Sequence, residues 1–308
     1  MKPAYFLARQ LEQRLPTIYA KRYPDLWGIN GEIIPSTGDI EEGAESIIAE
    51  FIAQVGEASL MSDVAGDLPL VDISVSEDKY PIVAPVTAFT YSVMQLNSAM
   101  KANRNLTEMK GIAAKRAIDE KGHKVAIYGS TKHKMPGLLN NDAVPLVDTS
   151  FNVATASADE LVDFVATQLN RVTTSSQQIE SVDTILVSDS MRKAMVTKRL
   201  SGTSDSVLTY LLANYGASTG GSLRRILAKN ELAPALLAEF GVRADATKER
   251  MVFMPSNPDA VQRHFSLITM MEPQAHGVNF LVPCYNYISP TIMHYPGSLL
   301  YVDVPAVA

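Results

Sequence analysis

Cysteine is almost absent from this sequence, which contains Cys284 alone. A single cysteine excludes an intramolecular disulfide and any zinc site built from several cysteines. No stretch approaches the roughly eighteen uninterrupted apolar residues that a membrane-spanning helix requires. Residues 1–10 also lack the long apolar run of a signal peptide. We therefore expect a soluble intracellular protein whose function does not depend on redox chemistry.

Charged residues are also sparse, at 19% of the 308 residues, whereas hydrophobic residues make up 46%. This balance excludes a disordered chain and provides enough apolar material for one large domain or two ordinary ones. Lysine and arginine number 27 against 33 aspartate and glutamate residues, so the net charge is −6. An acidic protein of this kind is not, as a whole, an obvious binder of nucleic acids or membranes.

The net charge conceals a segregation of charge along the chain. Residues 1–24 contain five basic residues and one acidic residue, whereas residues 25–95 contain thirteen acidic residues and one basic residue. Residues 96–135 contain nine basic and three acidic residues, and residues 136–308 have a net charge of −4. Such blocks are usually solvated faces of one fold. The alternative is that the acidic and basic blocks meet between copies of the chain, while the basic N-terminal segment faces a polyanion.

The N-terminal third predicts irregular chain followed by an extended hairpin. Prolines and glycines interrupt residues 1–40. Residues 47–55 fit either a helical face or one side of a strand. A polar, turn-rich segment follows at 63–72, and a second extended segment at 80–92 contains prolines that require an edge strand. If 47–55 is a strand, residues 45–92 form one long hairpin, which needs a second surface because a lone ribbon is marginal in water.

The rest of the chain predicts a mixture of helices and short strands. Asn105 begins a capping box, and a long helix is expected to run to Tyr128 and to stop at Gly129. Its expected apolar face contains Met109, Ile112, Ala113, Ala117, Val125 and Tyr128. Further helices are expected to start at Ser157, Asp189 and Ser204, and strands at 184–187, 251–254, 280–282, 292–295 and 299–302. Because these elements follow no regular βαβ repetition, the sequence predicts an α+β fold.

The strongest catalytic pattern is residues 216–220, which match the G-x-S-x-G nucleophile elbow around Ser218. The elbow requires a strand before the serine, because the sharp turn is what exposes the hydroxyl, but residues 207–215 predict a helix. The acids and bases that could complete a triad are common residue types, namely Asp245 or Asp259 and His264 or His276. A flexible loop is the favoured interpretation, and a serine hydrolase is the distant alternative.

Other patterns are weaker still. Residues 126–132 resemble a phosphate loop but lack its spacing, and therefore predict a helix end followed by a turn. The five histidines are scattered and predict no metal site. Cys284 is expected to be a small buried apolar residue, and Arg224 and Arg225 to lie in a solvated loop. The sequence thus predicts no catalytic residue, no cofactor and no metal, and we expect no enzyme.

Four short sequence motifs, taken together in their order along the chain, are more specific for a protein family than any one of them alone. They are Leu68–Asp72, Tyr128–Gly129 with Met135–Asn140, Arg250–Val252 with Asn257–Val261, and Phe280–Cys284 with His294–Pro296. In this order the chain resembles the major capsid proteins of tailed bacteriophages with the Hong Kong 97 phage fold, over residues 4–304. The resemblance implies that 47–55 is a strand.

The resemblance also implies a division of the chain. The expected parts are an N-terminal arm at 1–44, an extended loop at 45–92, a peripheral domain with a spine helix at 93–149, an axial domain at 150–250, and peripheral-domain strands with the C-terminus at 251–308.

The function implied by the resemblance is that of a virion shell subunit, made in the host cytoplasm. Copies of the chain would form the hexamers and pentamers of an icosahedral shell around double-stranded DNA, with non-specific DNA contact. Scaffolding, portal and decoration proteins are further expected partners, and no membrane is involved. An encapsulin-like nanocompartment shell, which has the same fold and a protein cargo, is the alternative.

Overall fold

A computed structural model describes residues 23–56, 70–102, 104–216, 221–242 and 247–307. The first half of the predicted N-terminal arm and most of the predicted hairpin tip lie outside these residues, as do Ser218 and Asp245.

The described chain contains strands and helices in irregular alternation. The strands are β1 Ser36–Thr37, β2 Ser46–Val55, β3 Asp72–Pro81, β4 Val86–Ser92, β5 Leu146–Asp148, β6 Thr184–Val187, β7 Arg225–Ala228, β8 Lys248–Met254, β9 Val261–His264, β10 Thr269–Met270, β11 Gln274–His276, β12 Asn279–Tyr285, β13 Ile292–Met293 and β14 Leu300–Pro305. The α-helices are α1 Val93–Lys101, α2 Leu106–Tyr128, α3 Ala158–Ser175, α4 Asp189–Thr197, α5 Val207–Asn214 and α6 Pro234–Glu239. The predicted α+β class is confirmed.

The centre of the molecule is a five-stranded sheet in the order β5-β14-β8-β6-β7. Its two outer pairs are parallel, and its inner pairs are antiparallel. The sheet therefore joins strands from distant parts of the sequence. The expected boundary between residues 250 and 251 lies inside β8. The sheet joins β8 and β14 with β6 and β7, so strands from both sides of that boundary belong to it.

Both faces of the central sheet are buried, each in a different core. Ile185, Phe253 and Leu300 are paired across three strands and pack with α3, α4 and α5 on one face. Leu186 and Val252, one residue away, point to the other face and pack with the end of α2, residues 27–34 and α6. This alternation is the period-two geometry of a strand, and it explains the apolar composition of 184–187 and 251–254.

A buried ion pair joins the two central strands. Arg250 on β8 lies opposite Asp303 on β14 and donates from Nε and Nη2 to the carboxylate, at 2.8 and 2.9 Å. Its Nη1 donates to the Leu139 carbonyl at 2.6 Å, and its guanidinium lies over the Tyr301 ring. Every donor group of Arg250 therefore has a partner, as a buried charge requires.

The long helix has the predicted ends. Asn105 caps it by accepting a hydrogen bond from the Glu108 N–H, at 3.2 Å. Gly129 ends it with a φ of 72°, a conformation that disfavours a side chain. The turn also closes tightly, since a Cβ on Gly137 would lie 2.2 Å from the Gly129 nitrogen.

The predicted face of α2 is wrong in its first half. Met109, Ile112, Ala113 and Ala117 are exposed, whereas Gly111, Ala114 and Ile118 are buried. The helix carries apolar residues on more than one side, so periodicity could not select the side that this chain buries. In the second half, Val125 and Tyr128 are buried as predicted.

The extended hairpin is confirmed in its first strand and wrong in its second. β2 pairs with β3 over ten residues, from Ser46 opposite Pro81 to Val55 opposite Asp72. We call β2 and β3 together the ribbon. The predicted strand at 80–92 is instead β4, which pairs with β12 over its full length. The predicted segment combines the end of one strand with the next strand. Pro81 is the last residue of β3 and Pro85 precedes β4, so neither proline lies in the interior of a paired strand.

The other helix predictions differ by little. Ser157 forms the capping box of α3, and Ser188 caps α4 at the predicted place. The helix expected to start at Ser204 is capped by Ser206, whose hydroxyl accepts from the Thr209 N–H. Cys284 is fully buried on β12, as expected.

Removing one partner of the buried Arg250–Asp303 ion pair tests how much the pairing contributes to the stability of the fold. R250M leaves the Asp303 carboxylate, which is fully buried, without its cation. We expect a loss of about 3–5 kcal/mol in the free energy of unfolding. The double variant R250M/D303L should recover much of this loss, since an apolar pair needs no counter-charge. Urea unfolding measures both, with the exposed Arg192→Met as control, and equal losses in R250M and R250M/D303L would contradict the interpretation.

Candidate assembly surface

The structure does not bring the candidate hydrolase residues together where it describes them. His264 Nδ1 lies 2.7 Å from Asp39, and His276 is exposed on β11. Ser218 and Asp245 lie outside the described residues. The segment before the G-x-S-x-G pattern is helix α5 rather than a strand. The local structure that an elbow requires is therefore not present before it.

Several buried or half-buried titratable groups have structural partners. His123 accepts a hydrogen bond from the Gly28 N–H at 3.1 Å and lies 3.2 Å from Glu231. Burial raises the pKa of Glu231, but hydrogen bonding, chiefly with His123, outweighs this effect and lowers the pKa overall. Glu249 accepts hydrogen bonds from Ser190 at 2.6 Å and from the Val307 N–H at 3.0 Å. These groups fix chain segments to one another.

The remaining candidates are also structural. After α2 the chain forms a short 3₁₀ helix at Thr131–His133, which agrees with a helix end and turn rather than a phosphate loop. Arg225 is not a free solvated cation, because it donates to the Glu32 carbonyl at 2.6 Å and to Ser256 at 2.9 Å. Arg224 is exposed as expected. Within the described chain no group of three or more His, Cys, Asp or Glu side chains could hold a metal ion.

The unusual feature of this molecule is one face of the ribbon. Side chains directly opposite in the β2–β3 register share a face. The open face, as we call it, consists of Ile48, Glu50, Ile52, Gln54, Ile73, Val75, Glu77 and Lys79. All eight are exposed, and its four aliphatic side chains keep between 54% and 69% of their area accessible.

The opposite face of the ribbon is partly covered by the body of the same chain. Phe51 lies with its ring centroid 6.0 Å from that of His294 and 6.4 Å from that of Tyr295. Ile47 and Tyr80, near the base of the ribbon, are also half-buried. The body therefore supports one side of the ribbon and leaves the open face uncovered.

A second exposed apolar area lies beside the long helix. We call it the spine patch and define it by Met109 and Ile112 on α2 with Leu267 and Met270. These side chains are between 50% and 80% exposed. The two parts adjoin, since a Cβ on Gly111 would lie 3.4 Å from Met270 Cε. The spine patch includes the side of α2 that sequence analysis expected to be buried.

None of the described helices is long and apolar enough to cross a bilayer. Large exposed apolar areas rimmed by charge mark protein–protein interfaces. A ribbon with one uncovered apolar face is stabilised when another surface covers it. The fold therefore defines a subunit that completes its burial by association.

Comparison with known proteins identifies the class of assembly. The sequence model of the Major capsid protein family matches residues 56–304. This match covers most of the chain, and the protein belongs to the Major capsid protein family. It is a capsid shell protein, located in the virion capsid, and capsid proteins of this family assemble into oligomeric shells. No curated protein sequence matches the chain.

Solved structures show the same fold at low sequence identity. The capsid of Myoviridae phage XM1 is 18% identical, with a TM-score of 0.77 over 98% of this chain and 100% of that chain. The capsid of a native GTA particle is 12% identical, with a TM-score of 0.65 over 96% and 95%. A virus-like particle from Pyrococcus furiosus is 13% identical, with a TM-score of 0.51 over 90% and 95%. The resemblance to phage capsid proteins is thus confirmed.

Polar substitutions on the open face test whether it is uncovered in the free subunit. Ile52 and Val75 lie opposite each other and are 69% and 60% exposed. We expect I52S/V75S to change the free energy of unfolding of the isolated subunit by no more than about 1 kcal/mol. The fully buried Ile185 on β6 is the matched control, since I185A should cost about 2–5 kcal/mol. Similar losses in chemical denaturation of the two variants would show that the ribbon folds back on its own chain.

Proposed function

We propose that this protein assembles with copies of itself into the hexamers and pentamers of an icosahedral shell that encloses phage double-stranded DNA, and that it is not an enzyme. The uncovered open face of the ribbon carries this proposal, because it leaves apolar area that a neighbouring copy can bury. Subunits that contact each other through two different surfaces around an axis form closed rings. Several weak interfaces per subunit then produce a durable shell.

The structural comparisons support a phage capsid more than a virus-like particle of the Pyrococcus furiosus kind. The TM-score to the phage XM1 capsid is 0.77, whereas that to the Pyrococcus furiosus virus-like particle is 0.51. The GTA capsid structure was computed with C5 symmetry. By this likeness the same chain occupies pentamer positions in our proposal, and assembly takes place in the host cytoplasm.

We further propose the domain roles that the sequence resemblance implied, with adjusted bounds. The extended loop corresponds to the ribbon, which ends at Pro81, because β4 belongs to the body through its pairing with β12. Helix α2 is the spine of the peripheral domain. Helices α3 to α5 form the core of the axial domain around residues 150–250, and residues 1–44 form the N-terminal arm.

Charge supports a contact between the ribbon of one copy and the spine helix of another. The ribbon strands contain Glu50, Asp72, Glu77 and Asp78 against Lys79. Helix α2 contains five basic and three acidic residues. Opposite charge steers association and fixes register more than it adds affinity.

The basic N-terminal segment is proposed to face the packaged DNA. Residues 1–24 carry a net charge of +4, and contacts to phosphates are independent of base sequence. Residues 136–308, with a net charge of −4, would limit adhesion of DNA to the shell wall. Scaffolding, portal and decoration proteins are possible partners of the shell in this proposal.

Shortening the ribbon tests its role in assembly. Replacing residues 49–78 with Asn-Gly retains the pair Ile48–Lys79 and closes it with a two-residue turn. We expect a folded, soluble subunit with wild-type helix content by circular dichroism and no closed shells by negative-stain microscopy. Shells of normal size from this variant would contradict the proposal.

Ionic strength tests the electrostatic part of the proposal. The screening length falls from about 10 Å at 0.1 M salt to about 3 Å at 1 M salt. We therefore expect early assembly, followed by light scattering, to slow as NaCl rises over this range. Unfolding of the isolated subunit over the same series is the control. An assembly rate that does not change with salt would remove electrostatic attraction as a cause.

A further inference from the structure

A cavity of about 460 Å³ lies between helix α2 and the segment that follows β9. Its walls include the apolar side chains Ile118 and Phe265, and the exposed Leu267 and Met270 of the spine patch lie at its edge. Its polar lining consists of Lys115, Asp119, Arg263, Ser266 and Asn286. The cavity is thus an apolar recess with a charged floor.

Arg263 on that floor is buried and forms no close ion pair with a carboxylate of the described residues. Arg263 is only 3% exposed. Its Nε has no hydrogen-bond partner, and none of the ion pairs formed among the described residues includes it. A buried, unpaired cation is costly. Arg250, by contrast, is equally buried and has its hydrogen bonds satisfied.

The neighbouring charges do not neutralise this cation. Burial lowers the pKa of Arg263 to about 10, although Asp119 acts in the opposite direction. Burial likewise raises the pKa of Asp119, against the effect of Lys115, Arg263 and Arg116. With Lys115 and Arg263 facing Asp119 alone, the cavity keeps an excess of positive charge at neutral pH.

The cavity also offers an unused acceptor. The Asn286 side-chain oxygen is buried and lacks a hydrogen-bond partner among the described residues. Arg263 needs an acceptor, which a carboxylate provides.

The open face of the ribbon contains two carboxylates that repel each other and that lack a cation opposite them in the strand pair. Glu50 and Glu77 lie directly opposite each other in the β2–β3 register, and both are exposed. Like charges at directly opposed positions destabilise a strand pair. Ile48 and Ile52 on one strand and Val75 on the other surround the two carboxylates with exposed aliphatic side chains. This is an anionic centre within an apolar frame.

We infer that the Glu50–Glu77 carboxylate pair of one copy occupies the Arg263 cavity of a second copy, with the aliphatic frame of the open face lying on the spine patch. The inference rests on the proposed function, since it requires contact between copies. The basic residues 1–24, with a net charge of +4, are a poor occupant for a cavity of the same sign. In the free subunit the Arg263 cation lacks an ion-pair partner, and the Glu50 and Glu77 carboxylates repel each other. Association of two copies relieves both, because it places the carboxylates beside the cation.

Opposite effects on folding and assembly test this inference. R263M should leave unchanged or raise the melting temperature of the isolated subunit, because it removes a buried unpaired charge. The same variant should raise the protein concentration needed for shell formation by on the order of tenfold to a hundredfold. The exposed Lys121→Met on α2 removes a charge outside the cavity and is the control.

The acidic partner is tested without changing the core. E50Q/E77Q should impair assembly as R263M does, whereas D72N/D78N removes two charges from the opposite face of the same ribbon and should impair it much less. If R263M fails to fold, E50Q/E77Q against D72N/D78N still decides the question. The triple variant R263M/E50Q/E77Q should assemble no worse than R263M alone, since the two sites form one contact.

The outcomes separate this inference from the proposed function. Wild-type shells together with R263M shells at the wild-type concentration would overturn the inference and leave the proposed function intact. Equal defects in E50Q/E77Q and D72N/D78N would also overturn it. Stabilisation of the isolated wild-type subunit, but not of R263M, by inorganic phosphate, with unimpaired assembly of E50Q/E77Q, would assign the cavity to a free anion instead. A wild-type chain that stays monomeric at every concentration would refute both.

Discussion

A two-stranded ribbon has two faces, and the body of a single subunit can cover only one of them. The rest of the structure depends on this constraint. The five-stranded sheet buries both faces under helices and connecting segments, so it needs no partner. The ribbon rests on its own chain near Phe51 and leaves an aliphatic face uncovered. The free energy still to be gained by burial is therefore concentrated on an extension of the molecule, where a neighbouring copy can reach it.

Two buried arginines show how the fold separates a stable body from a surface that is completed by association. Arg250 lies between the central strands with a bidentate carboxylate and a carbonyl as acceptors. Arg263 lies beneath the spine patch with an unsatisfied Nε. A subunit that satisfied all of its charges internally would have less reason to associate in one register. Charge pairing between copies can supply that register, while apolar burial supplies most of the affinity.

Membership in the Major capsid protein family agrees with the structural use of the polar side chains described above. Histidines and acidic residues that could have formed a catalytic cluster are used instead to attach segments to the body, as His123 does with Gly28 and Glu231. The acidic and basic blocks of the sequence correspond to the ribbon side and to helix α2. Their segregation along the chain is consistent with complementary surfaces on one subunit.

The sequence by itself determined the features that depend on neighbouring residues. The ends of α2 and α3 follow from their caps and from Gly129, and the buried strand at 184–187 follows from its uninterrupted apolar run. Only the tertiary structure decided that β4 pairs with β12, which side of α2 is buried, and that the Arg263 Nε finds no hydrogen-bond partner among the described residues. Strand partners and counter-charges come from residues far apart in the chain, and local periodicity contains no information about which distant segment arrives. For the same reason the alternation in 47–55 fitted a helix and a strand equally well until the cross-strand register placed Ile48 and Ile52 on one exposed face.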